Sequence, residues 1–157
     1  MGLVIAPDPI LLKKSLTVKE VTPSVKRIAE EMISFMDEHS SDADKPIGLS
    51  ACQLGYSFRM IALYRNPYFI NKDDIVVLIN PILTKAVKQH IVTESCLSLP
   101  DRFYQVKRSK IVKIQGMTLD GITHTFSGRD LMAQVFQHEL EHLDGILLDK
   151  SGKRVIR

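Results

Sequence analysis

The pattern His-Glu-Leu-Glu-His at residues 138–142 constrains this chain more than any other feature of the sequence. Residues four apart in a helix lie on one face, so the imidazoles of His138 and His142 can bind one metal ion while Glu139 projects beside it. A carboxylate in that place can accept a proton from an attacking water molecule and return it to the leaving group. The pattern predicts a helical metal site. The alternative is a pair of ordinary histidines on a surface helix.

The residues around the pattern weaken the surface alternative. Apolar side chains cover a wide arc of the segment from about 130 to 143, which is typical of a central, buried helix. They are Leu131, Met132, Val135, Phe136, Leu140 and Leu143. Two histidines and a glutamate in such a helix would be costly without a ligand. The preceding residues 127–130 (SGRD) have the form of a capping box and predict the start of the helix there.

A site of this kind needs a third protein ligand. Only fifteen residues follow His142, and none of them is Glu or His. The third ligand is therefore expected upstream, where Cys96 is the candidate. Taken alone, Cys96 would more often be a small buried hydrophobic residue. A thiolate and two imidazoles would leave the fourth position of a tetrahedral ion open for water or substrate, as a catalytic site requires.

The remaining periodicities predict an α+β fold, in which antiparallel strands pack around the central helix and an additional N-terminal helix lies outside. Residues 22–39 carry a helical apolar stripe, with Thr22 as the cap and Pro23 in the first position. Asn80-Pro81 is expected to stop one strand, and Asp120-Gly121 is expected to form a hairpin turn. The predicted strands are 60–64, 75–79, 91–93, 111–114 and 122–126.

Length and composition limit the number of domains, the binding partners and the compartment that can be expected. The 157 residues suffice for a single domain, 1–157, with a substantial core. No apolar run reaches the roughly 18–20 residues of a membrane helix, and the start has no signal-peptide pattern. The net charge is only +3 and the basic residues are scattered, so we expect no specific nucleic-acid binding. Cys52 and Cys96 could form one disulfide, but a reducing compartment is the simpler interpretation.

Three motifs give the sequence a resemblance to peptide deformylases. They are residues 48–53 (GLSACQ), 94–98 (ESCLS) and 137–142 (QHELEH), which occur in the order typical of that family. The resemblance extends to residues 5–9 (IAPDP) and 78–81 (LINP) and covers most of the chain. The sequence departs from the usual motifs at Pro46, Ser50, Ser95 and Glu141, where the family usually has Gly, Ala, Gly and Asp.

The resemblance implies hydrolysis of the N-formyl group from the terminal methionine of a new peptide, with release of formate. It implies one divalent ion, usually Fe²⁺ in this family, for which Zn²⁺, Ni²⁺ or Co²⁺ can substitute. The implied metal ligands are Cys96, His138 and His142. Glu139 would be the general acid/base, while the side chain of Gln53 and the backbone N–H of Leu97 would stabilise the developing oxyanion.

The resemblance also implies how the substrate binds. A methionine-like side chain would enter an apolar pocket, and the peptide backbone would run beside Gly48 and Ser95. The pocket would be formed by Ile47, Val92, Leu131, Val135 and the edge of His138. Glu94 and Arg108 would form an ion pair that stabilises the extended segment containing Cys96. The partner would be an N-formylmethionyl peptide, bound at the ribosome, and the enzyme would act as a monomer. It would act in a bacterial-type cytoplasm, or in an organelle if a transit peptide has been removed.

Two alternatives stay open on the sequence. Ser95 and Pro46 are compatible with a metallohydrolase of the same fold that acts on another acyl or peptide substrate. The other alternative is a weakly active relative that binds peptide N-termini as an interaction module. Intact Glu139 and Gln53 argue against the second alternative, because a binding module has no physical need for them.

Overall fold

The computed structural model describes residues 2–156 of the chain. Within these residues, strands of one antiparallel sheet combine with three α-helices, which confirms the predicted fold class. The strands are β1 (Gly48–Ser50), β2 (Met60–Tyr64), β3 (Ile75–Cys96), β4 (Leu99–Met117), β5 (Thr123–Arg129) and β6 (Gly152–Val155). The helices are α1 (Pro23–Glu38), α2 (Leu131–Leu143) and α3 (Leu148–Ser151), with 3₁₀ turns at Pro9–Leu12, Ala51–Leu54 and Lys72–Asp74. The strand order is β1-β2-β3-β4-β5, and β6 pairs with β4.

Helix α1 begins and ends where the sequence predicts. The hydroxyl of Thr22 accepts a hydrogen bond from the N–H of Val25 at 3.3 Å, and Pro23 occupies the first helical position. The Thr22 hydroxyl satisfies one of the unpaired N–H groups of the first turn, and Pro23 has no N–H group to satisfy. The apolar stripe of α1 packs against β1, β2 and the start of β3 in one core cluster. This helix lies on the side of the sheet opposite to α2.

The longest hairpin of the fold joins β3 and β4, and it corrects one prediction. Asn80-Pro81 does not stop the strand, which continues to Cys96. Asn80 adopts a φ of +51°, and the register shifts between Ile79 and Ile82. Such a bulge accommodates Pro81, whose missing N–H falls where the ladder is already interrupted. The Asn80 side chain bonds both the N–H and the carbonyl of Val18, at 2.9 and 2.8 Å.

The start of α2 corrects a second prediction. Residues 127–129 do not cap the helix, because they belong to β5 and pair with Lys113, Val112 and Ile111 of β4. Asp130 connects strand to helix with a φ of +47°, and its side chain makes no capping hydrogen bond. The sheet ladder therefore uses the residues that a capping box would need. The hairpin turn at Asp120-Gly121 is confirmed, with Gly121 at a φ of +83°.

Helix α2 is the central element of the fold, as predicted. Every one of its residues from Leu131 to Leu143 is buried or half-buried. Its apolar side packs against β2, β3 and β4 in a second core cluster, which includes Val135, Phe136 and Leu143. The imidazoles of the sequence pattern are thereby carried into the interior. Across residues 2–156, no helix combines the length and the apolar character that crossing a membrane requires.

Candidate metal centre

Three side chains capable of binding a metal converge between α2 and the end of β3. The ligand-type atoms of Cys96, His138 and His142 all lie within 4.8 Å of one another. Sγ of Cys96 is 3.3 Å from Nε2 of His142, and the two imidazole rings meet edge to face with centroids 4.9 Å apart. The spacing of four along α2 places both imidazoles on one face, and the last residue of β3 brings the thiol to them.

The donor set of this cluster fits a divalent metal ion. One sulfur and two imidazole nitrogens are the ligands of catalytic sites that keep a fourth position open. Burial, together with the charges of His138 and Arg108, lowers the pKa of His142 well below its ordinary value, which keeps that ring in the neutral form that ligates. Burial opposes charge on His138 too, but its hydrogen bonds with Cys96 and Glu94 outweigh burial and raise its pKa well above the ordinary value. A metal ion bound at Nε2 of His138 would displace the proton from that nitrogen.

A buried ion network stands behind His138. Oε2 of Glu94 accepts a hydrogen bond from Nδ1 of His138 at 3.1 Å, which leaves Nε2 as the nitrogen available to a metal. Arg108 donates two hydrogen bonds to Glu94, at 2.9 and 2.8 Å, and two to Glu141, at 2.6 and 3.0 Å. The predicted pair of Glu94 and Arg108 is thus present. Burial would raise the pKa of Glu94, but its bonds to Arg108 and His138 outweigh burial and lower that pKa to about 2.

Glu139 lies beside the ligand cluster in a close-fitting site. Its side chain is buried, and burial raises its pKa above the ordinary value against the opposing influence of His138 and Ser50. The hydroxyl of Ser50 lies 2.7 Å from Oε2 of Glu139. A Cβ added at Gly48 would lie 2.8 Å from both Cγ and Oε1 of Glu139, closer than real contacts allow. Glycine is therefore required at residue 48 for the carboxylate to occupy this position.

Gln53 is the second polar side chain held next to the cluster. Its Oε1 accepts a hydrogen bond from the N–H of Ser50 at 3.0 Å, which fixes the orientation of the amide. Its Nε2 donates to Oγ of Ser98 at 3.2 Å and lies 3.9 Å from Sγ of Cys96. The amide N–H groups consequently face the cysteine side of the site. The neighbouring Leu97 lies in the short turn between β3 and β4.

Cys52, which precedes Gln53, takes no part in this arrangement. Its side chain is fully buried, and Sγ donates to the carbonyl of His142 at 3.7 Å. Burial, assisted by the charge of Glu139, raises the pKa of the thiol to about 12. Such a thiol stays protonated at neutral pH and acts as a small packed residue. Both cysteines are free.

A cavity of about 490 Å³ opens onto the cluster and onto Glu139. Most residues predicted to contact a substrate line it, namely Ile47, Gly48, Ser95, Leu97, Leu131 and Val135. Val92 does not belong to this lining, since it pairs with Val106 in the ladder of β3 and β4. Sequence reasoning missed Gln134 and Phe103 on the cavity wall. The spacing of four between Gln134 and His138 would have indicated that they share a face.

Comparison with known proteins identifies the fold family. The sequence model of the polypeptide deformylase family matches residues 1–154. The chain belongs to this family. It is 37% identical over 141 residues to a peptide deformylase of Dehalococcoides mccartyi, a match that covers 90% of this chain and 79% of the relative. The sequence resemblance is thereby confirmed.

Solved deformylase structures share the fold described above. The peptide deformylase of Thermotoga maritima superimposes with a TM-score of 0.84 at 27% identity and covers 97% of both chains. That of Plasmodium falciparum, solved in complex with an inhibitor, gives a TM-score of 0.80 at 32% identity, over 96% of this chain and 88% of the other. Deformylases are metal-dependent hydrolases that remove the N-formyl group from newly made peptides, so the predicted class of reaction is confirmed at the level of the family.

Proposed function

We propose that this chain deformylates the N-terminal methionine of newly made peptides with one divalent ion held by Cys96, His138 and His142. The observation that supports this proposal is the convergence of these three ligand atoms within 4.8 Å at the wall of a cavity that also holds Glu139. A catalytic group, a ligand set and room for a substrate thus occur together. No other part of residues 2–156 groups three ligand-type side chains in this way.

We propose Fe²⁺ as the ion, with Zn²⁺, Ni²⁺ or Co²⁺ able to substitute. The mixed sulfur and nitrogen donor set suits these ions better than magnesium or calcium, which prefer oxygen. When bound, such an ion acts as a Lewis acid that polarises the formyl carbonyl and lowers the pKa of water from 15.7 to about 7. Glu94 and Arg108 would hold the His138 ring in the orientation that this binding needs.

Glu139 is the proposed general acid/base. Its carboxylate would accept the proton of the attacking water and deliver it to the peptide nitrogen as the bond to the formyl carbon breaks. Its raised pKa suits the first half of this transfer, because a carboxylate that is more basic than usual accepts a proton more readily. Gly48 and Ser50 confine the carboxylate next to the metal ligands, so the proton has a short path.

Gln53 and Leu97 are the proposed donors to the developing oxyanion. The Gln53 amide is oriented by the N–H of Ser50, so that Nε2 faces the site without rearrangement during the reaction. Donors fixed in advance in a buried site stabilise developing charge more than mobile donors in water do. The backbone N–H of Leu97, at the turn after Cys96, would supply the second hydrogen bond.

The substrate would place its methionine side chain against Ile47, Leu131, Val135 and the edge of His138. Three of these side chains are apolar and line the cavity next to the ligands. The peptide backbone would continue past Gly48 and Ser95. Because Val92 lies outside the cavity lining, we leave it out of the proposed pocket.

The broader setting is also proposed. We place this activity in one catalytic domain, 1–157, acting as a monomer on peptides at the ribosome, without specific nucleic-acid binding. Curated relatives are bacterial, which favours a bacterial-type cytoplasm, with an organelle as the alternative. Ser95 on the cavity wall gives one reason to keep a second candidate, a metallohydrolase of this fold with another acyl or peptide substrate.

The test is release of the acyl group from matched formyl-Met and acetyl-Met peptides by protein loaded separately with Fe²⁺ and Zn²⁺. We expect formate as the main product, released faster by the Fe²⁺ protein than by the Zn²⁺ protein. Metal-free protein should show no activity. Faster hydrolysis of the acetyl peptide would favour the second candidate. Equal rates with and without metal would contradict the metal-dependent mechanism. A peptide-binding relative would bind both peptides and release neither acid.

A further inference from the structure

The hydroxyl of Ser50 touches the proposed general acid/base directly. Oγ of Ser50 lies 2.7 Å from Oε2 of Glu139 and 3.1 Å from its backbone carbonyl oxygen. Ser50 is fully buried at the end of β1, so water does not compete for this contact. One hydroxyl proton can be donated to only one of the two oxygens at a time. The shorter distance, and the charge of an ionised carboxylate, favour donation to the side chain.

The backbone of the same residue orients the proposed oxyanion donor. The N–H of Ser50 donates to Oε1 of Gln53 at 3.0 Å. Ser50 therefore contacts both polar side chains that the proposed reaction uses, one through its hydroxyl and one through its amide. The amide contact is independent of the side chain. A substitution at residue 50 can thus remove the contact to Glu139 while keeping the contact to Gln53.

Backbone packs closely against the other oxygen of the Glu139 carboxylate. A Cβ added at Gly48 would lie 2.8 Å from Oε1 and from Cγ of Glu139. Gly48 therefore lies near Oε1, while the Ser50 hydroxyl contacts Oε2. A glutamate has three rotatable side-chain bonds, and a hydrogen bond to one carboxylate oxygen restricts the rotation of the carboxylate plane. The Ser50 hydroxyl supplies such a bond to Oε2.

We propose that Ser50 is a positioning residue, whose hydroxyl fixes the Glu139 carboxylate in the orientation needed for proton transfer. This inference rests on the proposed role of Glu139 as general acid/base. Ser50 does not line the cavity, and its hydroxyl bonds to Glu139, so its effect passes through Glu139. The expected consequence is a loss in the chemical step rather than in substrate binding, because misplacement of a reacting group slows the reaction without removing a substrate contact.

The experiment is a double-substitution cycle of Ser50→Ala and Glu139→Gln, with kcat and KM measured on a formyl-Met tripeptide at equal metal content. Ser50→Ala introduces the residue that is usual in the family, so the expected loss is modest: kcat should fall by about 3- to 10-fold with KM unchanged. In the Glu139→Gln background, the same substitution should have no further effect. Ser15→Ala is the matched control, because the buried Ser15 hydroxyl has no hydrogen-bond partner within residues 2–156 and lies outside the cavity lining. Its kcat should equal that of the wild type.

A readout that does not depend on activity completes the test. In crystals of Ser50→Ala, the Glu139 carboxylate should be rotated or occupy more than one conformer, with the positions of Gln53 and His138 unchanged. A wild-type kcat in Ser50→Ala, or an equal loss from Ser50→Ala in both backgrounds, would overturn the inference. If Glu139→Gln itself keeps full activity, the proposed function fails instead, which is a distinguishable result. If Ser50→Ala does not fold, Ser50→Cys keeps a side chain of similar size, replaces the hydroxyl with a weak donor and is judged by the same outcomes.

Discussion

Nδ1 of His138 lies 3.1 Å from Oε2 of Glu94, and the exposed fractions of the two side chains are only 14% and 8%. The proposed metal ligand on α2 is therefore braced by a carboxylate on β3, which Arg108 on β4 holds in turn by two hydrogen bonds. An imidazole whose second nitrogen is bonded in this way keeps one tautomer and one ring orientation. The metal centre thus depends on residues that do not touch the ion.

Glu94→Ala should weaken metal binding by about 10- to 100-fold, because His138 loses the partner that orients it. Competition with a chromophoric chelator would measure the change. Glu30→Ala is a suitable control, since Glu30 is exposed on α1 and is not part of the ligand cluster. Unchanged affinity in Glu94→Ala would show that the ring is oriented by packing alone.

Glu94 should also make the stability of the metal-free protein depend on pH in the acid range. Its pKa is lowered from 4.5 to about 2 in the folded state. A depressed folded-state pKa stabilises the fold at pH values above 4.5, and this contribution is lost as the pH falls from 4.5 towards 2. Urea unfolding at several pH values should show a smaller loss over this window in Glu94→Gln than in the wild type. Equal losses in the two proteins would contradict the low pKa.

Cys96→Ser should weaken metal binding and change the ligand field, because a hydroxyl is a poorer ligand for these ions than a thiolate. In a cobalt-substituted protein, the thiolate-to-metal charge-transfer band should disappear. Cys52→Ser provides the matched control, since Cys52 is buried nearby with a pKa of about 12 and is not part of the ligand cluster. Survival of the band in Cys96→Ser would exclude Cys96 as a ligand.

Ser95→Gly should raise kcat/KM for formyl-Met peptides, by an amount that grows with peptide length. Ser95 is exposed on the cavity wall opposite Phe103 in the ladder of β3 and β4. Removing its side chain widens the path of the substrate backbone, which only longer peptides follow. Glycine also adds freedom to the unfolded chain, so stability should fall by up to about 1 kcal/mol. The measurement is kcat/KM of both proteins on formyl-Met substrates of one, two and three residues. If the gain in kcat/KM stays flat or falls with peptide length, Ser95 does not narrow the path of the substrate backbone.

The sequence predicts those features that depend on short spacings and on ligand chemistry. The grouping of His138 with His142 follows from helix geometry, and Cys96 was the upstream candidate because no Glu or His follows His142. The start of α1 was predicted from Thr22 and Pro23, whose interactions are local.

Features that depend on distant partners were not predicted. The strand continues through Asn80 because its side chain bonds Val18, 62 residues away, and because a bulge absorbs Pro81. The contact between Ser50 and Glu139 joins residues 89 apart. The capping form of residues 127–130 is a local pattern that pairing with β4 overrides. In each case, tertiary contacts decide between conformations that the local sequence permits.

The most direct test of the central claim compares formate release from a formyl-Met peptide by the wild type and by Glu139→Gln, both loaded with Fe²⁺ to the same measured metal content. We expect one metal ion per chain in both proteins. The rate should fall by about 10²–10⁴-fold in the variant, because a carboxamide cannot accept the proton of water. Formate release at the wild-type rate by metal-replete Glu139→Gln would show that Glu139 is not the general acid/base.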